Sequence, residues 1–393
     1  MRTSDERLAG FLAGLDAAGR LRSPVPVEHL PGGRVRRGGR ELINFSSNDY
    51  LGLSRHPLLA ERAAAYAATY GTGAGASRLV SGHLAAQERI EARVAAAKGS
   101  EAALLMASGW QCNASVLPAL LDPALWGCQP LLFADRLAHA SMHAGFRAAG
   151  ARQIRYRHND LAHLAALLDR HADSAAPRFI VTETVFSMDG DVTDVAALMQ
   201  LARAHDAFVY LDEAHATGVL GETGFGLAAH HGADLVMGTF SKALGCFGAY
   251  VACSARLREY LVNRCSGLIF STALPPPVLG AIDAALDLVP QLGEARARLQ
   301  ADARRLREAL TQAGLDTAAS ATQIVPVLLG DERRTLAASA ALEAAGLLGV
   351  AIRPPTVPEG ASRIRFALSA AHARADVELL LDVAPRLLAG GAA

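Results

Sequence analysis

Ala207-Phe208-Val209-Tyr210-Leu211-Asp212-Glu213-Ala214-His215 is an apolar run closed by two acids and a histidine. Further on, Asp234-Leu235-Val236-Met237-Gly238-Thr239-Phe240-Ser241-Lys242-Ala243-Leu244-Gly245 repeats the form, with a lysine just past the run. Runs of this length without polar alternation read as strands buried on both faces, the mark of a parallel sheet. Working outward, strand-like runs also fall at Ala102–Ala107, Pro130–Ala134, Arg152–Arg157, Arg178–Glu183 and Phe247–Cys253. Between them lie stretches such as Leu161–Leu168 and Val192–Ala204, with apolar residues at helical spacing. Strands alternating with helices imply crossover units, so the expected fold class is α/β, with a large domain built on a mostly parallel seven-stranded sheet.

After Pro275-Pro276-Pro277 the texture changes. A long Ala/Leu/Arg-rich helical stretch runs to about Leu315, followed by a strand (Gln323–Leu329) and a helix (Arg333–Ala345). Two more strands (Val350–Arg353, Arg363–Leu368) and a last helix (Arg374–Leu388) complete a smaller α+β domain. The expected division is 1–45 as an N-terminal helix and arm, 46–277 as the large domain and 278–393 as the small one, with the prolines at the boundary. Leu8, Phe11, Leu12 and Leu15 give the N-terminal helix an amphipathic pattern broken by charges, unlike a secretory signal. Pro31–Arg40, rich in Gly and Arg, reads as a surface hairpin or loop.

The chain has 393 residues, 51% hydrophobic and 19% charged, enough for a sizeable core. Lys+Arg and Asp+Glu both total 38, a balance that argues against nucleic-acid or membrane-surface binding. No apolar run approaches the length of a membrane span. Five cysteines, with no C-x-x-C pair, point to a reducing cytosol rather than to a zinc knuckle or disulfide framework. Only two residues are lysine, Lys98 and Lys242, so any lysine chemistry uses one of them.

Lys98 falls where a helix ends before Gly99, and a cation there suits the C-terminal dipole. Lys242 emerges from a buried strand end, where desolvation turns an ammonium into a nucleophilic amine. A plain surface lysine at a strand end is the alternative. Asp212 closes another strand at the sheet edge where α/β folds bind ligands. An aldehyde cofactor with a pyridine ring needs both an amine to form an imine and an anion to hold the ring nitrogen protonated.

Other readings fail on specific residues. Asp212-Glu213-Ala214-His215 also occurs in nucleic-acid-dependent ATPases, but neither lysine lies in a G-x-x-x-x-G-K-[ST] loop. Gly71-Thr72-Gly73-Ala74-Gly75 follows a helical pattern, not the strand that a dinucleotide fingerprint requires. His139 and His143 are four apart, but Ala140 stands where a zincin has glutamate, so no metal is expected. No G-x-S-x-G element occurs, which removes an α/β-hydrolase. Ser108-Gly109-Trp110-Gln111-Cys112-Asn113 opens a helix after a strand, a place that suits a phosphate or is an ordinary capped helix. Phe186-Ser187-Met188-Asp189-Gly190-Asp191 places a hydroxyl after another strand, or is simply a loop.

Taken in order, Asn44–Leu53, Phe186–Asp191, Asp212–Gly218 and Thr239–Gly245 resemble the α-oxoamine synthases over nearly the whole chain. These are pyridoxal-phosphate enzymes of fold type I that join an amino acid to an acyl thioester with loss of CO2. Within the family, Ile352-Arg353-Pro354-Pro355-Thr356-Val357-Pro358 is most similar to the branch that joins L-alanine to a pimeloyl thioester, carried on CoA or a carrier protein. Sister enzymes use glycine or serine, or other acyl groups, and aminotransferases share the fold. Ala76-Ser77-Arg78-Leu79 departs from the Gly-Ser-Gly-His of some members near the substrate entrance.

The resemblance implies that Lys242 forms the imine with pyridoxal 5'-phosphate and then takes the Cα proton. It implies that Asp212 pairs with the ring nitrogen, that His139 stacks on the ring, and that Ser187 and His215 contact its 3′-oxygen region. Gly109, Trp110 and Thr239 hold the phosphate or its surroundings, and Thr272 reaches the phosphate of the partner subunit in a homodimer. Arg365, with Asn48, takes the amino-acid carboxylate, and Arg22 and Thr356 bound the acyl chain. Arg34, Arg36, Arg37 and Arg40 either meet CoA phosphates or are solvated. A cytoplasmic enzyme is implied.

Overall fold

A computed structural model describes residues 3–229 and 231–390. The chain divides into two compact units, one of residues 51–187 and 192–296, the other of residues 1–50, 188–191 and 297–393.

The larger unit is built on seven strands in the order Ala102–Met106, Ala249–Cys253, Leu235–Thr239, Ala207–Asp212, Arg178–Glu183, Leu131–Asp135 and Gln153–Tyr156. Only Ala249–Cys253 runs antiparallel to its neighbours. All seven expected strands are present, displaced by two residues at most; six are buried almost throughout and so give an apolar run, whereas Gln153–Tyr156, at the sheet edge, buries only Tyr156.

Two cores cover the two sheet faces. One packs Val116, Leu120, Met142, Phe146 and Leu261 against Leu104, Phe179, Tyr210 and Val251. The other packs Leu164, Leu168, Leu198 and Met199 against Phe133, Ile180, Val209 and Leu211. With both faces sealed by helices, the strands' carboxyl ends are where polar side chains emerge. Asp135, Glu183, Asp212 and Thr239 each close a strand, and Glu183 lies directly opposite Asp212 in the register.

The proline triplet is not the boundary. Pro276 and Pro277 open the helix Pro276–Leu288, where a missing N–H costs nothing. That helix packs on Pro57–Tyr70 and stays with the larger unit, so the division falls after Arg296 rather than at 277. Residues 1–45 likewise do not stand apart but group with the C-terminal unit.

The smaller unit carries a sheet of Ile324–Gly330, Ser362–Ala367 and Ala351–Ile352. A second sheet joins Glu28–Leu30, Arg34–Arg37, Arg40–Asn44 and the two-residue strand Leu347–Leu348, which was too short to register as a pattern. The Gly/Arg-rich segment is therefore a hairpin, turning at Gly38-Gly39. Met188–Asp191 belongs to this unit as well, where a Cβ on Gly190 would meet Ile324 O at 2.1 Å. The N-terminal helix Ser4–Ala17 buries no residue. Among the described residues, no helix is long and apolar enough to cross a membrane.

Candidate active site

Lys242 stands on the tight turn that follows the strand Leu235–Thr239. Gly245 N donates to Lys242 O (2.9 Å), and Cys246 N donates to Phe240 O (2.9 Å). Gly245 closes the turn at φ 67°, and a Cβ there would meet Ser54 N at 2.3 Å, so the position requires glycine. The turn brings Lys242 Nζ to 2.8 Å from His215 Nε2, on the loop after the neighbouring strand.

Asp212, 4% exposed, accepts from Ala214 N (2.8 Å) and from Asn113 Nδ2 (2.9 Å). These two donors hold the carboxylate in one orientation. Asn113 sits on the helix Gly109–Leu120, and its Oδ1 accepts from Tyr210 OH (2.6 Å). Burial pushes the Tyr210 phenol well above its ordinary pKa, so the hydroxyl keeps its proton. Asn113 Nδ2 also donates to Ser141 Oγ (2.9 Å), and Ser141 Oγ lies 2.7 Å from His139 Nδ1.

Burial lowers the pKa of His139; nearby Asp212 opposes the shift and Lys242 adds to it. Glu183 moves the other way. Burial first, then the Asp212 charge, hold its carboxyl well above the usual carboxylate range, so it keeps its proton.

These side chains enclose a cavity of about 220 Å³, lined also by Ser108, Gly109, Trp110, Met237 and Ser241. The Trp110 and His139 rings meet edge to face at 6.3 Å. Ser108 caps the helix Gly109–Leu120 through Gln111 N, leaving the first turn's N–H groups at the cavity wall. A Cβ on Gly109 would meet Thr239 Cγ2 at 2.7 Å, so the backbone there is kept bare. Thr239 Oγ1 is buried with no hydrogen-bond partner among the described residues. An unsatisfied buried hydroxyl is costly, and beside a helix N-terminus it marks the place of an anionic group.

A larger cavity, about 650 Å³, opens where the strands bearing Phe208 and Val236 begin, at the opposite edge of the sheet. Its size does not make it the reaction site, which needs the amine, acid and imidazoles gathered at the carboxyl edge.

Gly109, Trp110, His139, Asp212, His215, Thr239 and Lys242 thus share one cavity, whereas Ser187 and Thr272 are not among its walls. Thr272 lies elsewhere in the same unit, in an antiparallel bridge with Ser77. Asn48, Thr356, Arg22 and Arg365 belong to the smaller unit. There Arg365 Nη2 donates to Asn48 Oδ1 (3.2 Å) and Tyr50 OH (3.2 Å). Arg22 Nη2 donates to Arg353 O (3.0 Å) and Pro354 O (2.8 Å), at the turn that carries Thr356.

Arg34, Arg36 and Arg37 pair with carboxylates of their own unit, and Arg40 donates to Glu343 O and Ala344 O. Asn113, Ser141 and Glu183, which line the cavity, and Tyr210, which bonds Asn113 from behind it, went unassigned in the sequence because only the packed sheet brings them together.

An unsatisfied threonine at a helix N-terminus, with a lysine and a fixed carboxylate across the same cavity, fits pyridoxal phosphate. The fold is that of the type I enzymes that use this cofactor. Residues 40–383 match the aminotransferase class I and II family. A putative 8-amino-7-oxononanoate synthase of Paramagnetospirillum magneticum is 68% identical over 97% of both chains. An 8-amino-7-oxononanoate synthase of Gluconacetobacter diazotrophicus is 59% identical over 88% of both. The serine palmitoyltransferase of S. paucimobilis, solved with a PLP–myriocin aldimine, superposes with a TM-score of 0.90 at 25% identity, covering 98% of each chain. The chain belongs to the class I and II aminotransferase family and, within it, to the 8-amino-7-oxononanoate synthases, pyridoxal-phosphate-dependent acyltransferases.

Proposed function

We propose that the protein condenses L-alanine with a pimeloyl thioester, releasing CO2 and the free thiol, to give 8-amino-7-oxononanoate for biotin biosynthesis. The observation that carries this reading is the strand-end turn holding Lys242 Nζ 2.8 Å from His215 Nε2, in the cavity that Asp212 also lines. The names of closely similar relatives give 8-amino-7-oxononanoate as the product, and alanine with a pimeloyl thioester fits that product.

Bound pyridoxal phosphate supplies an aldehyde for the amino group and a ring that withdraws electrons from Cα. The helix start at Gly109 and Trp110, together with Thr239 Oγ1, holds the phosphate. Asp212 keeps a proton on the ring nitrogen, and its two hydrogen bonds stop it turning away. Lys242 Nζ removes the Cα proton of alanine. His139 lies against the ring and donates a hydrogen bond to the thioester oxygen as charge develops there. Ser187 and His215 serve the 3′-oxygen.

Arg365 takes the alanine carboxylate with Asn48. Its planar fork suits two carboxylate oxygens, and its hydrogen bonds to Asn48 Oδ1 and Tyr50 OH fix where the fork stands. Arg22 and Thr356 bound the acyl chain. Thr272 reaches the phosphate of the second subunit of a homodimer. The acyl group arrives on CoA or a carrier protein.

Amino-acid-dependent release of thiol, assayed with alanine, glycine and serine against acyl chains of graded length, tests the reading. Preference for alanine with a pimeloyl thioester supports it. Preference for serine with a long acyl chain would place the protein with the serine palmitoyltransferase it superposes on. Amino-group exchange without thiol release would make it an aminotransferase.

A further inference from the structure

We infer that Ser141 and Asn113 are positioning residues that fix His139 as a neutral imidazole with its proton on Nε2. His139 is the N-cap of the helix Ala140–Ala148, and its Nδ1 accepts from Ser141 N at 3.2 Å. A nitrogen that accepts a main-chain N–H carries no proton of its own.

The Ser141 hydroxyl makes the same demand. Asn113 Nδ2 has two protons, one directed to Asp212 Oδ2 and the other to Ser141 Oγ. The amide cannot be flipped, because its other end would set Oδ1 against the Asp212 carboxylate, and Oδ1 already accepts from Tyr210 OH. Ser141 Oγ therefore accepts from Asn113, and its single proton is directed to His139 Nδ1, 2.7 Å away.

Both partners of Nδ1 are donors, so the ring proton of neutral His139 resides on Nε2. An imidazolium would press an N–H against two N–H or O–H groups at a helix N-terminus, where positive charge is also disfavoured. The direction of the chain is set at its far end by Asp212, the one member that can only accept. The carboxylate assigned to the ring nitrogen thus also orients, through Asn113 and Ser141, the imidazole assigned to the thioester oxygen. That catalytic consequence rests on the proposed function; the tautomer itself does not.

The test uses holoenzyme with 15N-labelled histidine, and the His139 ring signals are identified by their loss in His139→Asn. A protonated Nε2 and an acceptor-type Nδ1 are expected at neutral pH. An Nδ1–H tautomer or an imidazolium at His139 would overturn the inference. Ser141→Ala removes the shorter of the two donors to Nδ1 and leaves only the main-chain N–H at 3.2 Å, so it should weaken the preference for the Nε2–H tautomer, shift the His139 ring signals and lower kcat about tenfold, the effect of one hydrogen bond. Ser141→Thr should restore all three. Indistinguishable His139 spectra in wild type and Ser141→Ala would also overturn the role of Ser141. Full thiol release by His139→Asn, with the Nε2–H tautomer still present in wild type, would instead remove His139 from the reaction and leave the tautomer assignment standing.

Discussion

Lys98 Nζ and the carboxylate of Glu213, the residue directly after Asp212, form an ion pair with 1% and 0% of their side chains exposed. Lys98 does end the helix Ala85–Lys98 before a left-handed Gly99, but it is not a solvated cation completing a helix dipole. It also donates to Phe225 O, while Glu213 accepts from Leu227 N and Ala228 N. A Cβ on Gly226 would meet Glu213 Oε2 at 2.2 Å, so the loop wraps the carboxylate closely. Burial, the largest single influence, would lower the lysine's pKa, but Glu213 and the Tyr250 hydroxyl together outweigh it, and the ammonium stays charged.

Lys98→Ala is therefore not a silent control for Lys242. It leaves the Glu213 charge buried without its cation, a loss on the order of 3–5 kcal/mol. The expected outcome is a much lower denaturation midpoint and weaker cofactor retention. Lys98→Met with Glu213→Gln should recover most of the stability. A single variant as stable as wild type would show that the pair does not hold the Asp212 loop.

Lys242→Ala should remove the visible absorbance of the lysine-bound cofactor and abolish thiol release, while the fold, read by far-ultraviolet circular dichroism, persists. With Lys98 sealed in its ion pair, borohydride should fix the cofactor at Lys242 alone, as peptide mapping would show. Asp212→Ala should keep the fold and lose well over tenfold in kcat, more than about 1.4 kcal/mol of barrier. A smaller loss would remove Asp212 from the ring nitrogen.

Much of this site was legible before the fold was known. Buried parallel strands give unbroken apolar runs, so the turn carrying Lys242 and the acid ending Ala207–Asp212 stood out by residue type and place. The Asn113–Ser141–His139 chain was not legible, since its members come from two helices and are neighbours only once those helices pack on the sheet. Lys98 misled because a helix-end lysine has a sufficient local explanation, and nothing local shows that Glu213 lies behind it. The domain boundary misled for the same reason, as a proline triplet opens a helix as readily as it ends a unit.

His372 gives the smaller unit a defined acid sensitivity. It is 5% exposed and packs at 4.3 Å against Phe45. Its Nδ1 accepts from Ser369 N, and Nε2 lies 3.1 Å from Asn44 O, so the folded ring is held neutral. Burial drops its pKa from 6.5 to about 4. Between those values the unfolded chain binds the extra proton. The stabilisation is therefore complete above 6.5 and lost as pH falls toward 4, by an amount on the order of 3 kcal/mol. Denaturant midpoints measured across that window should fall for wild type and fall less steeply for His372→Gln. Equal slopes would assign the acid sensitivity elsewhere.

Thr239 separates holding the cofactor from holding the fold. Its buried Oγ1 has no partner among the described residues, so in the cofactor-free protein the hydroxyl contributes desolvation cost and no hydrogen bond. Thr239→Val keeps the shape and removes that cost. The apoenzyme should be as stable as wild type or slightly more so. Cofactor affinity should fall, because a hydrogen bond to a charged phosphate contributes about 1.5–3 kcal/mol, or about ten- to a hundredfold in Kd. Titration of apoenzyme with pyridoxal phosphate, followed by absorbance, reads the second effect, and thermal melting of the apoenzyme reads the first. A variant destabilised without cofactor but unchanged in affinity would mean that the threonine serves packing, and would move the phosphate away from the start of the helix Gly109–Leu120.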